Sequence, residues 1–172
     1  RRIAVVGGGI SGMAAAHLLA DALVELGELQ RVAVVEGEVL EIALELLGNE
    51  PAVIRSLVEC YASEERFAEA INAGQVLVAI EPAPQAWERL GRAYFRQGDY
   101  DGSLESYRRA VELDPAYWPA LNGIGVNELN EWLRSDRTEA AAREAAGDAF
   151  RASLRVYPEQ PKVVQLLTTY PL

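Results

Sequence analysis

The sequence predicts an all-α fold, an α-solenoid in which antiparallel pairs of helices stack side by side. Three observations support this fold class. Residues 84–117 contain two helix-forming stretches separated by a glycine turn, their apolar pattern recurs 33 residues earlier, and part of it recurs 34 residues later. Because each pair exposes an apolar face that only a neighbouring pair can cover, a repeat of this length predicts a stacked array.

The segment 84–117 shows how each pair is built. Its first helix carries an apolar stripe at three- and four-residue spacing, formed by Trp87, Leu90 and Tyr94. Gly98 and Asp99 end this helix and begin the next, because glycine accepts the left-handed conformation and aspartate can accept bonds from free amides. The second helix is lined by Leu104, Tyr107 and Ala110. Pro115 then prevents its continuation.

In order and spacing, the residues of this segment resemble the tetratricopeptide repeat (TPR) family. The residues that carry the resemblance are Trp87, Leu90, Gly91, Tyr94, Gly98, Tyr100, Ser103, Tyr107, Ala110 and Pro115. The resemblance implies a solenoid of helix-turn-helix units in which the first helices line a concave groove. It also implies a module that binds a protein or peptide and is not an enzyme.

Further units lie on both sides of this one. The upstream unit carries Ile54, Leu57, Val58, Tyr61, Phe67, Ala70, Leu77 and Pro82, and the downstream unit begins with Leu121, Ile124 and Gly125. In the downstream unit the second-helix residues come about nine positions late, at Ala146, Phe150, Ser153 and Pro158. An insertion that lengthens both helices explains this shift.

The predicted array covers residues 19–172. Its units are 19–50, 51–83, 84–117 and 118–160, followed by a closing helix at 161–170 with Val164, Leu166 and Leu167 turned inward. Residues 19–47 allow two interpretations. They form the helices of an imperfect first unit, or residues 30–37 form a strand.

The first 18 residues resemble the FAD-binding fingerprint of the flavin amine oxidases. An apolar strand precedes Gly7, Gly9 and Gly12 in G-x-G-x-x-G spacing, and Glu36 follows near the position of a ribose-binding carboxylate. One such unit lacks the strands of a flavin domain, so we expect residues 1–18 to be a fingerprint-like N-terminal segment without cofactor, which keeps one strand or a βαβ remnant. The alternatives are a fragment of an FAD-dependent oxidoreductase, or a designed or fused chain with no evolved ligand.

Composition narrows the function classes. The formal net charge is −10, from 26 acidic and 16 basic residues, which disfavours nucleic acid and anionic membranes as partners. We find no apolar run that could span a membrane and no cleavable signal, and expect a cytoplasmic protein. The single cysteine, Cys60, allows no internal disulfide, and the single histidine, His17, has no metal-ligating neighbours in sequence. No catalytic constellation or metal site is predicted.

The TPR resemblance implies which residues face the groove. They are Arg55, Arg89, Arg92, Arg96, Asn122 and Asn130. Arginines at these positions suit an acidic segment, because guanidinium groups bind carboxylates through paired hydrogen bonds. The alternative is a solvated face in which the arginines pair with Glu59, Glu88 and Asp99.

Some TPR proteins bind a terminal carboxylate through lysines and asparagines. This chain departs from that pattern at Glu59, Pro119 and Gly123, so the resemblance does not extend to chaperone tails. A homo-oligomer, formed through aromatic residues near the last units, is an alternative kind of partner.

Overall fold

The computed structural model describes residues 50–172, which form a TPR-like α-solenoid of the predicted all-α class. Within this range there are seven helices: α1 (Pro51–Ser63), α2 (Phe67–Ile80), α3 (Pro84–Gln97), α4 (Tyr100–Leu113), α5 (Trp118–Arg134), α6 (Ala140–Val156) and α7 (Pro161–Thr169). The fingerprint residues Gly7, Gly9, Gly12 and Glu36, and nearly all of the predicted first unit, lie outside the described residues.

Consecutive helices pack as antiparallel pairs, and the pairs stack. Helix α1 packs on α2, α3 on α4 and α5 on α6, while α2 and α4 each also contact the first helix of the next pair. The first helices α1, α3 and α5 contact one another in sequence order. They therefore form one layer, and the second helices form the other.

The turn between α3 and α4 has the predicted chemistry. Gly98 adopts a left-handed conformation with φ of 89° and ends α3. Asp99 follows as the N-cap of α4, and its Oδ1 accepts a hydrogen bond from the backbone amide of Gly102 at 2.9 Å. The local sequence therefore determines this turn, because a glycine conformation and a short carboxylate cap are both required here.

The core follows the apolar stripes of the helices. One cluster of buried side chains joins α1, α2 and α3 and consists of Val53, Leu57, Tyr61, Ala70, Ile71, Leu90 and Ala93. Trp87 packs against this cluster and also against the next one, around Tyr107, Ala110 and Ala120. A pattern residue of α3 thus connects the core between pairs, as expected for a ribbon-like solenoid core.

The third pair is longer than the others, as the shifted pattern predicts. Helices α5 and α6 have 17 residues each, against 14 in α2, α3 and α4. They meet closely at Gly125, where an added Cβ would lie 2.6 Å from the ring of Phe150. Phe150 is fully buried and centres the cluster that joins α5, α6 and α7.

The prediction for the closing helix is wrong at one residue. Val164 is 46% exposed, whereas Val163 is 6% exposed and belongs to the last core cluster. Leu166 and Leu167 pack against that cluster as predicted. The inward stripe is therefore set by the spacing of Val163, Leu166, Leu167 and Tyr170, which leaves Val164 outside the stripe.

Candidate functional site

The first helices of the three pairs present aligned rows of side chains. Residues four apart lie one above the other on a helix. The rows are Arg55, Glu59 and Ser63 on α1; Glu88, Arg92 and Arg96 on α3; and Asn122, Val126 and Asn130 on α5. We call the surface that these nine residues form, together with Arg89, the groove face.

Two arginines of α3 meet one carboxylate of α1 at the centre of this face. Both Glu59 oxygens accept bonds from Arg92 Nη2, at 2.8 and 2.9 Å. Arg89 Nε donates to Glu59 Oε1 at 2.9 Å, and Arg89 Nη1 donates to the Gln85 carbonyl at 3.2 Å. Glu59 and Arg92 are about half exposed, at 46% and 48%, and Arg89 is 24% exposed. The structure therefore brings Arg89 and Arg92 together around Glu59.

Glu88 lies beneath this cluster and is more buried. Its side chain is 16% exposed, and Oε1 is 3.9 Å from Arg92 Nη1. Burial raises the pKa of Glu88, although Arg92 and Arg89 act in the opposite direction. Burial likewise raises the pKa of Tyr107, with the charge of Glu88 contributing. Glu88 is thus a partly desolvated carboxylate, distinct from the exposed Glu59.

The other two predicted arginines also have carboxylate neighbours. Arg55 Nη2 donates to Glu81 Oε2 at 2.9 Å, and both side chains are 41% exposed. Arg96 Nη2 is 4.0 Å from Glu65 Oε1, and its guanidinium lies 5.2 Å from the Phe67 ring centroid.

Between Arg55 and Arg89 lies a small open cavity. Its volume is about 180 Å³, and Glu81 and Gln85 also line it. The cavity lies at the junction of α1 and α3. Two of the residues that line it, Arg55 and Arg89, belong to the groove face.

The predicted asparagines lie on α5, away from the arginines. Asn122 Nδ2 donates to Gln160 Oε1 at 2.6 Å, while its Oδ1 is buried without a hydrogen-bond partner. The Nδ2 of Asn130 is likewise buried without a partner. The groove face therefore changes character from ion pairs on α1 and α3 to carboxamides on α5.

Three residues that were not predicted from the sequence hold this surface in place. Glu81 holds Arg55, and Gln160 donates to the Ser153 hydroxyl at 2.9 Å and to the Tyr157 carbonyl at 2.7 Å. Asn127 donates to the Ser103 hydroxyl at 3.0 Å, which joins α5 to α4. The repeat pattern gives no signal for them, because their contacts with Arg55, Asn122 and Ser103 join residues 26, 38 and 24 positions apart.

Two other features are absent from the described residues. Between residues 50 and 172, no group of three or more His, Cys, Asp or Glu side chains is arranged to hold a metal ion. In the same range, no helix combines the length and apolarity needed to cross a membrane.

The chain is similar to a tetratricopeptide repeat model and to several known proteins. A family model described as Tetratricopeptide repeat matches residues 84–117. Small glutamine-rich tetratricopeptide repeat-containing protein 2 of Mycosarcoma maydis is 28% identical over 110 residues, which are 62% of this chain and 31% of that protein. Heat shock protein STI1 of Saccharomyces cerevisiae is 35% identical over 90 residues, which are 52% of this chain and 15% of that protein.

A third relative is Hsp70-Hsp90 organizing protein 2 of Arabidopsis thaliana. It is 25% identical over 104 residues, which are 58% of this chain and 18% of that protein. The chain therefore spans less than a third of the length of each of these three curated relatives.

Solved structures show the same architecture. A crystal structure of MamA, 18% identical, has a TM-score of 0.71 and covers 87% of this chain and 81% of that chain. MamA from Desulfovibrio magneticus RS-1, 21% identical, has a TM-score of 0.68 with coverages of 86% and 77%. At these identities the likeness shows the fold alone. The chain thus contains a tetratricopeptide repeat at residues 84–117, within a described region that is a TPR-like α-solenoid.

Proposed function

We propose that residues 50–172 form a binding module for another polypeptide, which lies on the groove face. The observation that carries the proposal is the convergence of polar side chains from consecutive helix pairs. Glu59 of α1 reaches Arg89 and Arg92 of α3, 30 and 33 residues away in the sequence. A surface assembled from several pairs suits an extended or helical segment of a partner.

The relatives support a polypeptide as the partner. One of them is named for organizing Hsp70 and Hsp90, and therefore acts on other proteins. We propose a binding role without catalysis or cofactor for this chain as well. The departures at Glu59, Pro119 and Gly123 argue against a chaperone tail as the partner.

The chemistry of the central cluster favours an acidic segment. Arg89 and Arg92 share the single exposed carboxylate of Glu59, while Glu88 is mostly buried. Exposed ion pairs contribute about 0–1 kcal/mol each, so a carboxylate from a partner can replace an internal one at small cost. Two guanidinium groups on consecutive turns of α3 then offer paired hydrogen bonds to that carboxylate.

The test is binding of a fluorescein-labelled glutamate-rich peptide, followed by anisotropy. We expect the wild type to bind it more tightly than a glutamine-rich peptide of equal length, and more weakly as salt increases. The double variant Arg89→Gln and Arg92→Gln should lose about tenfold or more in affinity, since charged hydrogen bonds contribute about 1.5–3 kcal/mol.

A matched control removes the same charge elsewhere. Arg143 and Arg155 are exposed on α6, in the layer of second helices. Their double substitution by glutamine should leave the affinity within about twofold, because neither residue belongs to the groove face and exposed charges are screened by salt. Equal losses in both double variants would show that net charge, and not the groove face, attracts the peptide.

A further inference from the structure

We propose that Glu59 is an internal competitor for the proposed acidic ligand, and that it sets how strongly the groove face discriminates between acidic and neutral peptides. This inference rests on the proposed function. It concerns a residue that the TPR pattern does not require, on the first helix of the described array.

The geometry places the Glu59 carboxylate where a ligand carboxylate would bind. Its two oxygens accept three bonds of 2.8–2.9 Å, two from Arg92 and one from Arg89. These are the short, charge-assisted bonds by which arginine recognises a free carboxylate. A partner's aspartate or glutamate can make the same contacts only after Glu59 has moved away.

The surroundings of Glu59 allow such an exchange. Its side chain is 46% exposed, so once released from the arginines it can be solvated. Glu88 differs, because its side chain is only 16% exposed and therefore has less access to solvent. Of the two carboxylates near Arg92, only Glu59 can leave at small cost, since solvation replaces the lost bonds.

The charges of the cluster predict how Glu59 affects the binding of acidic and neutral peptides. With Glu59 in place, the two guanidinium groups are partly neutralised and a neutral peptide meets little net charge. Without it, Arg89 and Arg92 both become available to an anion. Removing the Glu59 charge should therefore favour acidic peptides specifically and leave neutral peptides unaffected.

The experiment compares Glu59→Gln with Glu112→Gln by anisotropy, using the labelled glutamate-rich and glutamine-rich peptides. Glu112 is an exposed carboxylate on α4 paired with Arg109, so its substitution changes the net charge equally. We expect Glu59→Gln to tighten binding of the glutamate-rich peptide by roughly three- to tenfold. Binding of the glutamine-rich peptide, and both affinities of Glu112→Gln, should change less than twofold.

One further arm separates this inference from the proposed function. In the Arg89→Gln, Arg92→Gln background, Glu59→Gln should give no gain, because the groups for which it competes are absent. Thermal unfolding followed by circular dichroism confirms that each variant is folded.

The possible results each decide the question. Binding of the glutamate-rich peptide that is unchanged or weakened by Glu59→Gln would overturn the competitor role while leaving the proposed groove intact. A weakening would show that Glu59 organises the arginines. Binding by Glu59→Gln but not by the wild type would support the inference. Absence of binding by both would contradict the inference together with the acidic-ligand proposal.

Discussion

The helix pairs α1–α4 and the longer pair α5–α6 with α7 use different interactions to join their neighbours. Among α1–α4, the polar links between first helices are exposed ion pairs, with Glu59 bridging to Arg89 and Arg92. In the last region the links are buried hydrogen bonds of Asn127 and Gln160. The comparison teaches that apolar stripes join all three pairs, whereas the lengthened pair adds buried hydrogen bonds of larger polar side chains.

The difference lies in which residues each region buries. Helices of 14 residues repeat the spacing of the pattern, so apolar side chains of one pair meet those of the next. In the last region the larger polar side chains of Asn127 and Gln160 are buried, whereas the buried polar residues of α4 are the small serines Ser103 and Ser106. Buried polar groups destabilise a fold unless they are hydrogen-bonded, so their partners become specific features of this region.

The largest expected effect comes from the core of the last region. Phe150→Ala should lower the free energy of unfolding by about 3–5 kcal/mol, because the ring is fully buried against α5. Since each pair contacts only its neighbours, amide hydrogen exchange should accelerate most in α5–α7.

In the first region the variant that corresponds to Phe150→Ala is Leu57→Ala, which truncates a side chain that is 2% exposed. Leu57→Ala should lower the free energy of unfolding by about 2–5 kcal/mol and accelerate amide hydrogen exchange mainly in α1 and α2. If both variants accelerate exchange equally in all seven described helices, the two regions unfold as one cooperative unit and the comparison fails.

A substitution at the contact between the two regions should have an intermediate effect on the free energy of unfolding. Asn127→Ala removes the donor to the fully buried Ser103 hydroxyl and should cost about 1–3 kcal/mol, measured by urea unfolding. Ser103→Ala provides the second side of a double-mutant cycle. If the two losses are additive in the double variant, the hydrogen bond does not couple α4 to α5.

The smallest effect concerns Glu88 and depends on pH. Burial raises its pKa in the folded state, so the folded protein holds the proton more tightly than the unfolded chain does. This tighter proton binding stabilises the folded protein below the pKa of about 4.3 that Glu88 has in the unfolded chain. The stabilisation is lost as pH rises through the pKa of Glu88 in the folded protein. Glu88→Gln should therefore be more stable than the wild type at neutral pH, by up to about 1 kcal/mol.

Thermal unfolding across the acidic to neutral range measures this difference. The advantage of Glu88→Gln should disappear towards low pH, where the wild-type carboxyl is neutral. Glu105→Gln is the control, because Glu105 is 59% exposed beside Arg109. A Glu88→Gln protein that is less stable than the wild type at neutral pH would show that attraction by Arg92 outweighs the desolvation.

Much of the fold could be predicted, because its signals are local. Gly98 and Asp99 carry the turn chemistry in their own side chains, and the apolar spacing of α3 and α4 shows which sides of these helices are buried. Even the longer third pair was predictable from the shift in the pattern. The exception is Val164, since a nine-residue helix offers few positions from which to determine its inward stripe.

Less of the candidate site could be predicted. The sequence indicated arginines on the first helices, and it left open whether they pair with carboxylates such as Glu59 and Glu88. Asp99, the third carboxylate considered there, caps α4. The contacts of Asn122 with Gln160 have no sequence signal, because the two residues are 38 positions apart and meet only when α7 packs.

The sequence by itself determined the helices, their pairing and the side that each helix buries, because helix spacing, caps and proline breaks act within a few residues. Only the tertiary structure decided that Glu59 lies between Arg89 and Arg92, since this contact depends on how closely α1 and α3 approach and which rotamers they permit. Burial is likewise a tertiary property, and it makes Glu88 a desolvated carboxylate while Glu59 remains exposed.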